Sequence, residues 1–399
     1  MKILILANKL PFPPRDGGSI ATLNMLLGLH HAGMQVTCLA MNTSKHPFPV
    51  ERIPAELQST IRFMGVDCDT SIRPFHLVIN LLFSKKPYVA ERFNIKTFRT
   101  ALHALLEEES FDIIQLEGPY LFYYVDQIRK TSQACISLRA HNSEHLIWKR
   151  MALRESSPLK RGYLRNLARR LHAFEMRVAD QVDYLIPISE CDVAYFREQG
   201  TDTPMLTIPT GLNLEDYPFT EQPSGSTLFF IGALDWMPNQ EGLSWFLDQV
   251  FDPLAQQLPE IQFHVAGRNA PVRFLKKLDH PNITFHGEVE DARSFMSSFR
   301  IMVAPVFSGS GIRIKILEAM ALGRPVVTTS TGIEGIPAKN LRTVKVGDDP
   351  QNYNKLLLEL IKDPKESARR AAEARELISR EFDTFKLSKR LSQFYKAQA

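Results

Sequence analysis

Residues 300–331 read RIMVAPVFSGSGIRIKILEAMALGRPVVTTST, and their pattern decides the fold. An uninterrupted apolar run from Ile301 to Val306 predicts a strand buried on both faces. The small residues Ser308-Gly309-Ser310-Gly311 predict a tight turn, Ile312 to Leu322 a helix, and Pro325 to Thr329 a second apolar strand. The unit is βαβ, so a parallel sheet is expected. Glycines let backbone N–H groups approach a ligand closely, and the unpaired amides at a helix start carry partial positive charge. This end of the helix is therefore suited to an anion such as phosphate.

Three charged residues in the predicted helix sharpen the chemistry: Arg313, Lys315 and Glu318. Lys315 and Glu318 are three apart and share nearly one face, Lys315 lying a turn closer to the glycines. A cation at that place reaches phosphates, while a carboxylate one turn deeper accepts hydrogen bonds from a ribose diol. The competing reading is an ordinary ion pair on a solvated helix face.

The stretch resembles the donor-site signature of family 4 glycosyltransferases of the GT-B type. The matching residues are Ala304-Pro305, Leu317-Glu318-Ala319-Met320-Ala321, Gly323-Arg324-Pro325-Val326-Val327 and Gly332-Ile333-Glu334-Gly335. The resemblance implies two doubly wound, Rossmann-like α/β domains facing a cleft. It also implies a nucleoside-diphosphate sugar as donor substrate, bound without a cofactor, and retention at the anomeric carbon. Eight residues before Glu318 the family usually carries a glutamate; here stands Ser310, as in a subgroup that replaces the first carboxylate by a polar turn and adds two cations.

The composition agrees with a two-domain soluble globular chain. There are 399 residues, more than one core usually serves, with 44% hydrophobic and 23% charged residues. Cys38, Cys68, Cys135 and Cys191 are scattered without a CxxC pair, which predicts buried free thiols in a reducing, cytoplasmic setting and argues against zinc. Met1 to Ala7 reads as a strand, not a signal core, and no apolar run is long enough to span a membrane. A net charge of +4 does not imply nucleic acid, but its distribution is uneven. Residues 139–177 hold ten lysines and arginines against three glutamates, either a solvated helix face or a patch for anionic lipid or a pyrophosphate-linked acceptor.

Along the chain, Lys2 to Ala7 predicts a central strand that empties into a proline-rich loop with Gly17-Gly18, and Ser19 is placed to cap a helix from Ile20 to His31. The spacing does not give G-x-G-x-x-G, so a dinucleotide cofactor is not indicated. By resemblance Gly17 and Gly18 lie near the donor phosphates and the acceptor. Residues 73–88, RPFHLVINLLFSKKPY, predict an apolar helix with basic ends, read either as core or as an interfacial patch at the bilayer of a lipid-linked acceptor.

The strand Asp112 to Glu117 ends in Gly118-Pro119, putting Glu117 at the carboxyl edge where parallel sheets place chemistry. Many family members carry a histidine there. Here the next strand, Cys135 to Ala140, ends in His141-Asn142-Ser143-Glu144-His145, a polar knot that packing does not explain. Glu117 and His141 are both candidates to orient or deprotonate the acceptor hydroxyl, with Asn142 and Glu144 on the acceptor side.

Pro209 to Asn213 resembles the family's interdomain junction, which sets the domains at 1–215 for the acceptor and 216–380 for the donor. Residues 381–399 are expected as a helix packing back on the first domain. In the second half, the turn 232–239, Arg268 after the strand Ile261 to Ala266, and the segment Phe285-His286-Gly287 match the nucleotide-binding half. Relatives often carry Arg and Lys where this chain has Ala233 and Asn239, so Arg313 and Lys315 are expected to take over that charge. The donor set is then Gly17, Gly18, Asn239, Arg268, His286, Ser310, Gly311 and Glu318, with Glu117, His141, Arg313 and Lys315 in catalysis. No Asp-x-Asp pair is read as a divalent-metal holder at a strand end. The expected activity is sugar transfer to a glycan or lipid-linked acceptor in surface polysaccharide or glycoconjugate synthesis, in contact with an anionic membrane. A non-catalytic nucleotide-sugar binder and a GT-B epimerase are the alternatives.

Overall fold

The computed structural model describes residues 1–14, 16–45, 47–141, 143–308, 311–338 and 342–398. Asn142, Gly309 and Ser310 of the predicted sites lie outside the described residues. The chain forms two compact α/β units, Met1–Gly211 together with the C-terminal stretch from Thr384, and Leu212–Asp383.

The first unit is built on six parallel strands: β1 (Lys2–Ala7), β2 (Gln35–Thr43), β3 (Arg62–Cys68), β4 (Ile113–Glu117), β5 (Cys135–Ala140) and β6 (Tyr184–Pro187). Their order is β3-β2-β1-β4-β5-β6. β1 is apolar on both faces because helices cover both, and Ile3 to Leu6 are fully buried; β4 is buried along its whole length but carries the polar Gln115 and Glu117 toward its carboxyl end. The second unit repeats this winding with β7 (Thr227–Ile231), β8 (Gln262–Ala266), β9 (Ile283–Gly287), β10 (Ile301–Ala304), β11 (Val326–Thr328) and β12 (Lys345–Val346), ordered β12-β11-β10-β7-β8-β9. In each sheet the connections reverse direction between the first and fourth strands of the unit, β1/β4 and β7/β10. Ligands of open α/β sheets bind at the carboxyl ends of strands at such a reversal.

The last helix, Thr384–Gln398, lies against the helix Gly17–His31 of the first unit. Gly28 makes this approach possible, since a Cβ there would sit 2.1 Å from Ser388 Oγ. Leu387, Leu391 and Tyr395 complete the core beneath β1.

Several expectations are corrected. The helix after β10 starts at Ile314 and ends at Ala321, so Arg313 is its N-cap residue and not an interior one. The first helix starts at Gly17, and its cap is Asp16, whose carboxylate accepts from Ser19 N–H at 3.0 Å. Gly17 and Gly18 thus form the first helical turn, where any longer side chain at 18 would crowd Lys9. The helix Pro74–Phe83 is not core: only Asn80 in it is buried. Of the cysteines, Cys38 and Cys68 are buried, but Cys191 is exposed. Finally, Asp67-Cys68-Asp69 does end β3, yet Asp67 accepts from Asn42 Nδ2 at 2.7 Å and Asp69 pairs with Arg73 at 2.9 Å.

Candidate active site

In the first unit, Glu117 ends β4 at the reversal point and is 3% exposed. Parallel register sets it opposite Arg139 of β5, and His141 follows two residues on. His141 Nε2 lies 2.7 Å from Glu117 Oε2. Thr22 Oγ1 donates to the same oxygen at 3.1 Å, and Gln115 Nε2 donates to Oε1 at 2.5 Å. Burial by itself would raise this carboxyl, but His141 foremost, then the Arg139 charge and the Gln115 amide, hold it at about 2. The two candidates are therefore one device. Glu117 is an enclosed anion that fixes the imidazole, whereas the His141 side chain is 21% exposed and is the member of the pair open to solvent.

A second layer supports this pair, and no local pattern in the sequence marks it. Tyr395 donates to Gln115 Oε1 at 2.8 Å or to Ser137 Oγ at 2.7 Å, linking the last helix to Glu117 through Gln115. Glu144 is tied down as well: it accepts from Tyr120 OH at 3.0 Å, and its backbone N–H donates to buried Glu175 at 2.7 Å. Glu175 also accepts from His145 N at 3.1 Å and faces His145 Nδ1 at 2.6 Å, anchoring the start of the helix Glu144–Arg154. At the amino end, Lys9 Nζ pairs with Asp16 at 2.5 Å beside Gly18. Burial would raise the Asp16 carboxyl, and Lys9 holds it at about 2.

In the second unit, the helix Ile314–Ala321 follows β10 at the other reversal point. Lys315 Nζ donates to Asn239 Oδ1 at 3.0 Å and stands over the Phe230 ring, 4.3 Å from its centroid. Gly232 leaves the room for this, because a Cβ there would meet Asn239 Nδ2 at 2.8 Å and Lys315 Nζ at 3.2 Å. Burial, then the neighbouring Arg313 charge, pulls the amine down to about 7. Arg313 bonds back to the Gly311 carbonyl.

Glu318 is buried and accepts from Tyr217 OH at 2.8 Å. Burial pushes its carboxyl up to about 7 against that hydrogen bond and the nearby Arg293. Lys315 and Glu318 therefore have separate partners, and among the described residues no ion pair joins them. The plain surface-pair reading fails because Glu318 is buried, Lys315 is half-buried, and each is held by a partner of its own.

The other donor candidates divide. Arg268 is half-buried just after β8, where its carbonyl accepts from Leu234 N–H at 2.9 Å, so it borders the turn that carries Asn239. His286 is held elsewhere: its Nε2 lies 3.0 Å from His264 Nδ1, and its ring meets Phe295 edge-on. Burial lowers both of these imidazoles. The geometry brings Asn239, Lys315, Arg313 and Gly311 together and leaves His286 on the flank of the sheet.

Two parallel sheets with the same reversed winding, each with charged groups gathered at the reversal, define a doubly Rossmann-like, GT-B type enzyme. Residues 15–216 match the family described as Glycosyltransferase Family 4, and residues 225–363 match Glycosyl transferases group 1. The chain belongs to glycosyltransferase family 4, and it is a glycosyltransferase of the group 1 type. It is 23% identical over 305 residues, 72% of this chain and 75% of the relative, to the "Uncharacterized 44.6 kDa protein in cps region" of Klebsiella pneumoniae.

Among solved structures, sucrose-phosphate synthase from Thermosynechococcus elongatus matches with a TM-score of 0.71 at 17% identity, over 100% of this chain and 99% of that one. Anabaena HepE, in complex with UDP and glucose, matches with a TM-score of 0.67 at 14% identity over 100% of both chains. S. aureus TarM, in complex with Fondaparinux, alpha-GlcNAc-glycerol and UDP, matches with a TM-score of 0.71 at 11% identity over 99% of both. These likenesses establish the common fold.

Proposed function

We propose that the chain transfers a sugar from a nucleoside-diphosphate sugar to an acceptor hydroxyl, with retention and without a metal ion. The observation that carries this reading is the half-buried Lys315 amine at the β7/β10 reversal, which donates to the neutral Asn239 amide oxygen and stands over the Phe230 ring. A cation drawn partly out of water beside a second cation is costly unless an anion completes it. A donor diphosphate is such an anion, and Arg313, Arg268 and the amides near Gly311 add to its field. When the bond from the anomeric carbon to the β-phosphate oxygen breaks, negative charge grows on the leaving diphosphate, and these preorganised groups stabilise it. Glu318 is assigned to the donor ribose.

His141, fixed by Glu117, receives the acceptor hydroxyl and orients it or takes its proton. The acceptor is assigned as a glycan or lipid-linked glycan of a surface polysaccharide or glycoconjugate, met at the cytoplasmic face of an anionic membrane. The cps-region relative and the glycan-type ligands in the TarM complex support this choice. The enclosed Glu117–His141 pair favours catalysis over a binding-only role. Release of free nucleoside diphosphate from the donor, measured with and without acceptor glycans, tests the assignment. Acceptor-dependent release is expected. Binding without release on any acceptor would indicate a binder, and turnover of donor with no acceptor an epimerase.

A further inference from the structure

We propose that the helix Pro74–Phe83 is a docking element that seats the first unit on the surface of a bilayer carrying anionic lipid. Its face is inverted relative to an ordinary surface helix. Phe75, Val78, Ile79, Leu82 and Phe83 fall at i, i+3, i+4, i+7 and i+8 and so form one stripe. That stripe faces solvent, with Phe75 74%, Leu82 67% and Phe83 84% exposed, while Asn80 points inward. Contiguous exposed apolar surface of this kind marks an interaction site.

The protein holds the helix in this pose deliberately. Asn80 Nδ2 donates to the Lys86 carbonyl at 3.1 Å and to Glu91 at 2.5 Å. Arg170 of the helix Pro158–Gln181 donates to the carbonyls of Asn80 at 3.2 Å and Leu81 at 2.9 Å. Leu77 and Leu81 line a small crevice with Tyr163 and Leu167 of that same helix, so the two helices are neighbours.

Charge complementarity selects the occupant. Lys85 and Lys86 are exposed directly after the stripe, and Lys160, Arg165 and Arg169 are exposed on the neighbouring helix. Leu159, 88% exposed, adds an apolar contact there. Nearby acids are already engaged, Asp69 with Arg73 and Glu91 with Asn80. An apolar stripe flanked by cations is the pattern of a helix lying in the headgroup region, with its apolar side in the acyl boundary and its lysines on anionic headgroups. At ten residues it lies on the bilayer, and no helix among the described residues is long and apolar enough to cross one. The inference rests on the proposed function only for why a membrane is useful, since it would bring the enzyme to a lipid-linked acceptor.

The test is co-sedimentation of the full chain with vesicles of phosphatidylcholine alone or mixed with phosphatidylglycerol, at low and high salt. Binding is expected only to the anionic vesicles, weakening with salt. Phe75→Ser combined with Phe83→Ser should lower partitioning by at least about tenfold, and Lys85→Glu with Lys86→Glu should remove the salt dependence. All four side chains are exposed, so melting temperature and nucleoside-diphosphate binding should not change. Wild type left in the supernatant at low salt, or pelleting untouched by the phenylalanine changes, overturns the proposal. So does a dimer in light scattering that the phenylalanine changes dissolve, since the stripe would then face a second copy. Vesicle binding and nucleotide binding are read separately, so loss of one leaves the other standing.

Discussion

Replacing Lys315 by methionine should make the ligand-free protein more stable while abolishing donor binding. The amine falls from 10.5 to about 7 on folding, chiefly through burial. At ~1.4 kcal/mol per pH unit this corresponds to roughly 5 kcal/mol of penalty for folding with the charge in place. Methionine fills similar volume, but the hydrogen bond to Asn239 is lost, about 1 kcal/mol, and local relaxation halves the remainder. A net gain of ~2 kcal/mol, or about 4–8 °C in melting temperature, is expected at pH 6.

The pH dependence has a definite sign. Below pH 7 folded and unfolded chains both carry the charged amine and the penalty is complete. Between about 7 and 10.5 the folded state has shed the proton and the unfolded state has not, so wild-type stability climbs with pH. The advantage of Lys315→Met should therefore shrink by up to about 2 kcal/mol from pH 6 to pH 8.5. Differential scanning calorimetry across that range is the assay. A variant no more stable than wild type at pH 6, or one whose advantage grows with pH, would show that folding with the charged amine carries no such penalty.

Glu318→Gln should show the opposite trend, because burial raises its carboxyl from 4.5 to about 7. Its stabilising effect, ~3 kcal/mol at most, should be full above pH 7 and vanish toward pH 4.5 in the same calorimetry. Glu117→Gln goes the other way. A carboxyl held at about 2 stabilises the fold above pH 4.5 and loses that contribution as the pH falls, so the variant should lose about 3 kcal/mol at pH 7. Its turnover, like that of His141→Ala, should drop by roughly a hundredfold in a nucleotide-release assay. Tyr395→Phe should leave donor binding intact but lower kcat several-fold, because the hydroxyl's contacts with Gln115 and Ser137 are lost and the Gln115 link to Glu117 is weakened.

Much of the architecture was legible because parallel strands buried on both faces announce themselves as apolar runs. Ile3 to Leu6, Ile301 to Ala304 and Val326-Val327 are of that kind. Glu117 and His141 were legible as strand-end polar residues, yet their union was not, since it depends on the register of β4 against β5. Tyr217 and Glu318 lie 101 residues apart and Tyr395 and Gln115 lie 280 apart, so no local pattern could pair them.

Two differences between sequence pattern and structure have simple causes. Ser19 and Asp16 are both good caps, and Gly17-Gly18 looks like loop although it enters the helix. The stretch 74–83 reads as apolar at nearly every position, and composition alone does not tell a buried helix from an exposed one. The stripe at 75, 78, 79, 82 and 83 is regular, but only the inward Asn80 reveals which side faces solvent.

On the proposed function, a nucleoside diphosphate completes the charge around Lys315. Thermal stabilisation of wild type and Lys315→Met by a panel of nucleoside diphosphates and their sugars tests it most directly. A ligand that binds only the folded chain stabilises it by about 2.7 kcal/mol at a hundred times its Kd. A rise of several degrees with one nucleotide is expected in wild type and none in the variant. No rise with any nucleotide, or an equal rise in both proteins, would contradict it.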